Sequence, residues 1–175
     1  MKARAIAVCL AALLSACVGS EAPLLPEDQG IADAALEGTW SYPDGGRIER
    51  LAVTPRGRAY IVSNLAEPAK KPLIASIHPY NETLLVLQMR SSDSNTVQYI
   101  LIAKDTSRPG RAWRMRGEIC DRKIADAAGL KAIKADQYSC TVTTRAQLDI
   151  LLARAAASFE QEPGKLLTMM QERGP

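Results

Sequence analysis

Apolar and polar positions alternate with a period of two along the middle of this chain, and the alternation falls into short segments separated by turn residues. The first segment begins near Leu36-Glu37-Gly38-Thr39-Trp40 and runs into Pro43-Asp44-Gly45-Gly46. That turn signal predicts a hairpin pairing residues 38 to 42 with residues 47 to 54. β-Branched and aromatic residues recur over residues 59 to 64, 73 to 77, 83 to 89 and 97 to 103. Turn chemistry at Pro55-Arg56-Gly57, across residues 91 to 95 and at Pro109-Gly110 bounds them. Trp113, Met115 and Ile119 then alternate with Arg114, Arg116 and Glu118, with Gly117 as the small member of the apolar row. This pattern marks a strand with one buried face.

The period changes after Cys120. Residues 123 to 134 hold helix formers around Ala127, Ala128 and Leu130, but Gly129 and the lack of a clean stripe leave a short helix or an irregular loop. Tyr138, Cys140 and Val142 alternate as a last short strand, and Thr144 with Gln147 makes a capping-box signature. Leu148, Leu151, Leu152, Ala155 and Phe159 fall on one helical face, and Pro163-Gly164 ends that helix. Residues 165 to 171, with Leu166, Leu167, Met169 and Met170, read as a final short helix. The fold class is therefore α+β, mainly β: an antiparallel meander forming a partial barrel or a sandwich, with a C-terminal amphipathic helix packed on it. No strand able to close a barrel is legible after the main helix.

The amino terminus follows a different logic. In MKARAIAVCLAALLSACVGS, Lys2 and Arg4 precede an apolar run, the pattern of an export signal. Leu14-Ser15-Ala16-Cys17 resembles a bacterial lipobox. The resemblance implies a diacylglyceryl group on the Cys17 thiol, cleavage before that residue and acylation of the new amino terminus, and two or three acyl chains hold a protein at a membrane stably. Val18 in place of an aspartate after the cysteine implies, by the same resemblance, an outer-membrane address with the domain facing the periplasm. The alternative is an ordinary secretory signal cleaved after Ser20, with Cys17 discarded. On the lipobox reading, residues 1 to 16 are the signal and residues 17 to 35, with Pro23, Pro26 and Gly30, are a flexible tether. Residues 36 to 175 form a single domain.

Composition narrows the function. Of 22 basic residues, Lys2 and Arg4 leave with the signal, so 20 face 19 acidic residues and no nucleic-acid partner is expected. Of four cysteines, Cys9 lies in the signal and Cys17 is the lipid acceptor, while Cys120 and Cys140 remain to form one disulfide in an oxidising compartment. There is no C-x-x-C and no second ligand cluster, so neither a metal site nor a cofactor is expected. The single histidine, His78, beside Pro79, reads as a strand-end residue at the surface, and no catalytic residue is assigned. Acids such as Glu37, Asp44, Glu49 and Glu82 are scattered singly, which leaves an envelope hydrolase as the third reading.

Arg111, Arg114 and Arg116 crowd one strand and are the candidate contact for an envelope protein or an anionic envelope component. Gly38-Thr39-Trp40 resembles the Gly-x-Trp that opens the first strand of lipocalins. That resemblance implies a barrel that carries an apolar ligand, which requires Trp40, Met89, Tyr99 and Trp113 to line a cavity. An aromatic content of 5% and the missing closing strand point away from it. The layout also resembles small disulfide-bearing β domains that serve as envelope inhibitors or accessory subunits. The leading expectation is a lipid-anchored, non-catalytic binding or assembly module, held to the membrane through Cys17, with a lipocalin-like carrier as the alternative.

Overall fold

The computed structural model describes residues 18–44, 46–92, 96–107, 112–116, 120, 122–130, 134–135, 140–159, 161 and 166–172. The signal, Cys17, Arg111, Ile119, Tyr138 and Pro163-Gly164 lie outside the described residues. Strands run in chain order as β1 (Val18–Ser20), β2 (Gly38–Asp44), β3 (Arg47–Arg56), β4 (Ala59–Asn64), β5 (Leu73–Pro79), β6 (Leu85–Ser91), β7 (Val97–Lys104) and β8 (Ala112–Arg116). Helix α1 (Arg122–Ala127), β9 (Lys134–Ala135), β10 (Cys140–Thr141), α2 (Arg145–Phe159) and β11 (Leu167–Gln171) follow. Among the described residues, no helix is long and apolar enough to cross a membrane.

β2 to β8 form the expected antiparallel meander, and β11 closes it. Leu167 sits opposite Met115 on β8, and Gln171 sits opposite Trp40 on β2, so eight strands make a complete ring. Two expectations are thereby corrected. The barrel is closed rather than partial, and residues 167 to 171 form a strand rather than part of a short helix. Leu and Met favour helix locally, but the edges of β2 and β8 present unpaired backbone groups that a short helix over residues 165 to 171 would leave open. Pairing on both sides overrides that weak preference and directs Leu167 and Met169 inward.

Two cores share one wall. Trp40, Tyr60, Ala75, Ile77, Ile100, Ile102, Trp113 and Met115 fill the inside of the ring. Outside it, α2 lays Leu148, Leu151, Leu152, Ala155 and Phe159 on Val86, Val97, Tyr99 and Leu101, the stripe expected from the sequence. β7 belongs to both cores, which explains the unbroken apolar run Tyr99-Ile100-Leu101-Ile102-Ala103. The capping box forms as expected: Thr144 Oγ1 accepts from Gln147 N at 3.3 Å, and Gln147 Oε1 accepts from Thr143 N at 2.9 Å. Cys120 and Cys140 are bonded, and Cys140 pairs with Val18, so the disulfide secures β1, β9 and β10 as an annex against β7.

The segment expected to be a tether instead packs on the barrel. Val18 and Leu25 are buried, and Gln88 treats Leu25 as a neighbouring strand would, accepting from its N–H at 3.1 Å and donating to its carbonyl at 3.0 Å. Ser20 and Tyr99 hydroxyls meet at 2.8 Å, and Tyr99 accepts from Leu24 N. Proline and glycine prevent a helix here, yet side-chain amides and hydroxyls satisfy the extended backbone. His78 is corrected too: it is 7% exposed rather than at the surface, with Nε2 at 3.0 Å from Ser76 Oγ, which accepts from Gln88.

Two outcomes are expected. Replacing Cys120 and Cys140 by alanine lowers the unfolding free energy by about 3 kcal/mol, read from denaturant midpoints, and hydrogen exchange at residues 18 to 20 accelerates before that of β3 and β4. An unchanged midpoint contradicts the clamping role. Burial, reinforced by Arg145 and only partly opposed by Glu27, holds the His78 pKa below 6.5. The unfolded chain therefore binds a proton that the fold refuses, and stability present above pH 6.5 is lost as pH falls through the folded value. His78→Gln is expected to flatten that part of the stability profile.

Candidate functional site

Closure of the ring leaves space inside it. Inward positions of β2 to β8 and β11 surround a cavity of about 130 Å³, and its wall is almost wholly apolar: Leu51, Val53, Leu73, Leu87, Ile100 and Met169 among others. Packed interiors seldom leave gaps larger than a water molecule. An engineered apolar cavity of about 150 Å³ stays dry and takes up benzene, so this space is of ligand size. Met89, Met115 and Met169 all line it, and their unbranched thioether chains make that part of the wall adaptable in shape.

One end of the barrel is plugged by the residues before β2. Ile31 N donates to Ile77 O at 2.8 Å, and a 3-10 turn at Ala34–Leu36 lies beneath the lumen. Trp40 Nε1 donates to Leu36 O at 2.8 Å, tying the plug to the first barrel strand. Asp33 N donates to Tyr60 Oη, and Asp33 pairs with Lys104 at 2.8 Å, which holds its carboxyl below the usual range. Gly38 has φ +122°, and a Cβ there would sit 3.3 Å from Gln171 Nε2, whose amide donates to Glu37 O. The Gly-x-Trp pattern thus has a mechanical basis: the glycine permits the turn from plug into strand, and the indole fastens the plug.

The opposite end carries the polar groups. The lining reaches Asn64 and the exposed Lys70 and Lys71 in the β4–β5 connection, which is the solvent end. Lys70 forms an ion pair with Glu67, and Asn64 Oδ1 accepts from Ala66 N at 2.8 Å, shaping that connection. Tyr42 is 2% exposed and lines the lumen, and its hydroxyl has no hydrogen-bond partner among the described residues. Burial, with the Glu49 and Asp44 carboxylates, pushes its phenol well above the ordinary value, so the hydroxyl stays protonated.

The residues singled out in the sequence separate here. Trp40, Met89 and Trp113 line the lumen, whereas Tyr99 points to the outer core. Arg116 is 7% exposed and donates to Ser158 O at 3.0 Å, and Arg114 lies over the Phe159 ring at 5.6 Å, so both guanidinium groups engage the end of α2. Arg111 lies outside the described residues. Among the described residues, no group of three or more His, Cys, Asp or Glu is placed to hold a metal ion. Tyr42 was not singled out, although its inward position follows from the alternation with Trp40.

Tyr42→Phe removes one unpartnered buried oxygen and nothing else. It is expected to raise the unfolding free energy of the ligand-free protein by about 1–2 kcal/mol, read from the denaturant midpoint. A loss of stability instead would show that the hydroxyl serves the fold.

No family model matches this sequence, and neither does any curated protein or solved structure, so a functional reading rests on this geometry.

Proposed function

We propose that this protein is a lipid-anchored envelope protein whose barrel binds a small apolar molecule in its lumen. The observation that carries the reading is the largely apolar cavity of about 130 Å³ inside a ring plugged at one end and open to solvent beside Lys70 and Lys71 at the other. An apolar occupant gains from leaving water without displacing any hydrogen-bonded group from most of the wall. The export signal and the acyl chains on Cys17 supply the address, keeping the barrel beside a membrane, where apolar molecules are abundant. No chemistry is assigned to the lumen, so the work is carriage or sensing.

A second reading, an assembly module that docks another envelope protein, is supported by Ile48 and Leu65, which are 66% and 43% exposed. Leu65 N donates to Arg50 O, two residues along β3 from Ile48, which places both residues toward the solvent end of the barrel. That pair is much smaller than the patches that mark obligate partners.

Protein extracted gently from its own membrane is expected to carry one small apolar molecule per chain in native mass spectrometry, together with acyl groups on Cys17. Ala75→Phe, which projects a ring into the lumen from the buried Ala75, is expected to abolish that mass while leaving the acyl groups. Finding no small molecule on either protein, with a second protein retained, would favour the assembly module.

A further inference from the structure

The residue that follows the acylated cysteine is built into the fold. Val18 is wholly shielded from water, and β1 is paired on both edges: Val18 lies opposite Tyr99 on β7 and opposite Cys140 on β10. Val142 N donates to Gly19 O at 2.8 Å, and the Ser20 hydroxyl meets that of Tyr99. Cys140 is bonded to Cys120, so the strand beside β1 is itself covalently secured. Freeing β1 would bring Val18 into water and break a hydrogen-bonded ladder on each side, and Leu25 holds the segment a second time through Gln88.

This leaves no slack between anchor and barrel. Cys17 is one peptide bond from Val18, and consecutive Cα atoms stand about 3.8 Å apart. Acyl chains on Cys17 therefore leave the domain within one residue of its wall. A flexible chain over residues 17 to 35 would behave differently, because about 19 residues of coil have a root-mean-square span of about 24 Å, enough to hold a barrel clear of the headgroups. The place of attachment is also specific. β1 runs along β7, which stands four strands from β3 in either direction around the ring, so the wall that carries Ile48 is the opposite one.

We propose, resting on the lipid anchor in the reading above, that the annex of β1, β9 and β10 is the membrane-facing side of the domain, seated against the phospholipid headgroups with no tether between. The acyl chains then fix the height and the facing of the barrel as well as its address.

Neutron reflectometry on full-length protein, extracted from its own membrane and placed in a supported bilayer of phosphatidylethanolamine and phosphatidylglycerol, reads the water layer between headgroups and protein. Its mass, taken on the same sample, reports the acyl groups. A layer no thicker than about 5 Å is expected, little more than one residue of chain. Inserting twelve Gly and Ser residues between Cys17 and Val18 is expected to open it to about 20 Å. A fluorophore on Ile48→Cys is expected to escape quenching by brominated phospholipids in both proteins. Acylated parent protein with a layer of about 24 Å overturns the proposal while leaving the anchor intact. An insertion variant that sits as close as the parent overturns it too, since surface affinity would then set the height. Strong quenching at position 48 overturns the assignment of the annex as the seated side. A mass without acyl groups removes the anchor reading and this proposal together.

Discussion

The seam made by the last strand governs the rest of the molecule. β11 satisfies the backbone of β8 on one side and of β2 on the other, so five residues near the carboxyl terminus turn an open meander into a ring. An open sheet would expose two hydrophobic-faced edges, a standing invitation to pair with other chains. Closure removes both edges and, because the strands tilt around an axis, creates an inside. The lumen is a consequence of the hydrogen bonds at this seam before it is a consequence of any side chain. Arg50 reinforces the neighbourhood, donating from Nε to Glu172 at 2.8 Å just beyond β11.

Around that ring the two hydrophobic cores do different work. The outer one, between β7 and α2, is fully packed, with Leu148, Leu151, Phe159, Tyr99 and Leu101 shielded from water. The inner one leaves room. Bracing and cavity are therefore separated in space: helix and disulfide annex pack on the outside of the wall, and the inside is incompletely filled. The buried Gln88, Ser76 and His78 group belongs to the bracing, since Gln88 holds the backbone of Leu25 on the outer face. Natural proteins that keep an internal void compensate for it elsewhere, and here the compensation is visible.

Much of this was legible in the sequence. Period-two alternation located the meander, the Leu148 to Phe159 stripe located the helix and its buried face, and setting Cys9 and Cys17 aside with the signal and anchor left Cys120 and Cys140 to pair. Closure was not legible, because Leu167-Thr168-Met169-Met170-Gln171 lacks β-branched density and a clean alternation, and its strand identity comes from the two edges it joins. The burial of His78, expected at the surface, and of Arg116 has a shared reason for being hidden in the sequence. A polar residue near a strand end reads as exposed unless the element that covers it is known, and residues 24 to 30 and α2 are the covers. The lumen depended on all of these at once, so its lining could be read as an inward row only after the ring was known to close. Tyr42 stood in that row throughout, two residues after Trp40.

The pairing pattern also sets an order of events. β1 lies beside Tyr99 and Cys140, and Trp40 lies beside Gln171, so the first and last parts of the chain are neighbours separated by most of its length. Local hairpins from β2 to β6 can form early, but neither the annex nor the ring can be completed until nearly every residue is available. Such non-local pairing makes folding slow relative to helical proteins of this size. Until β11 is in place the meander keeps two open edges and an uncovered apolar inside, so the strand latest in sequence is the latch of the ring.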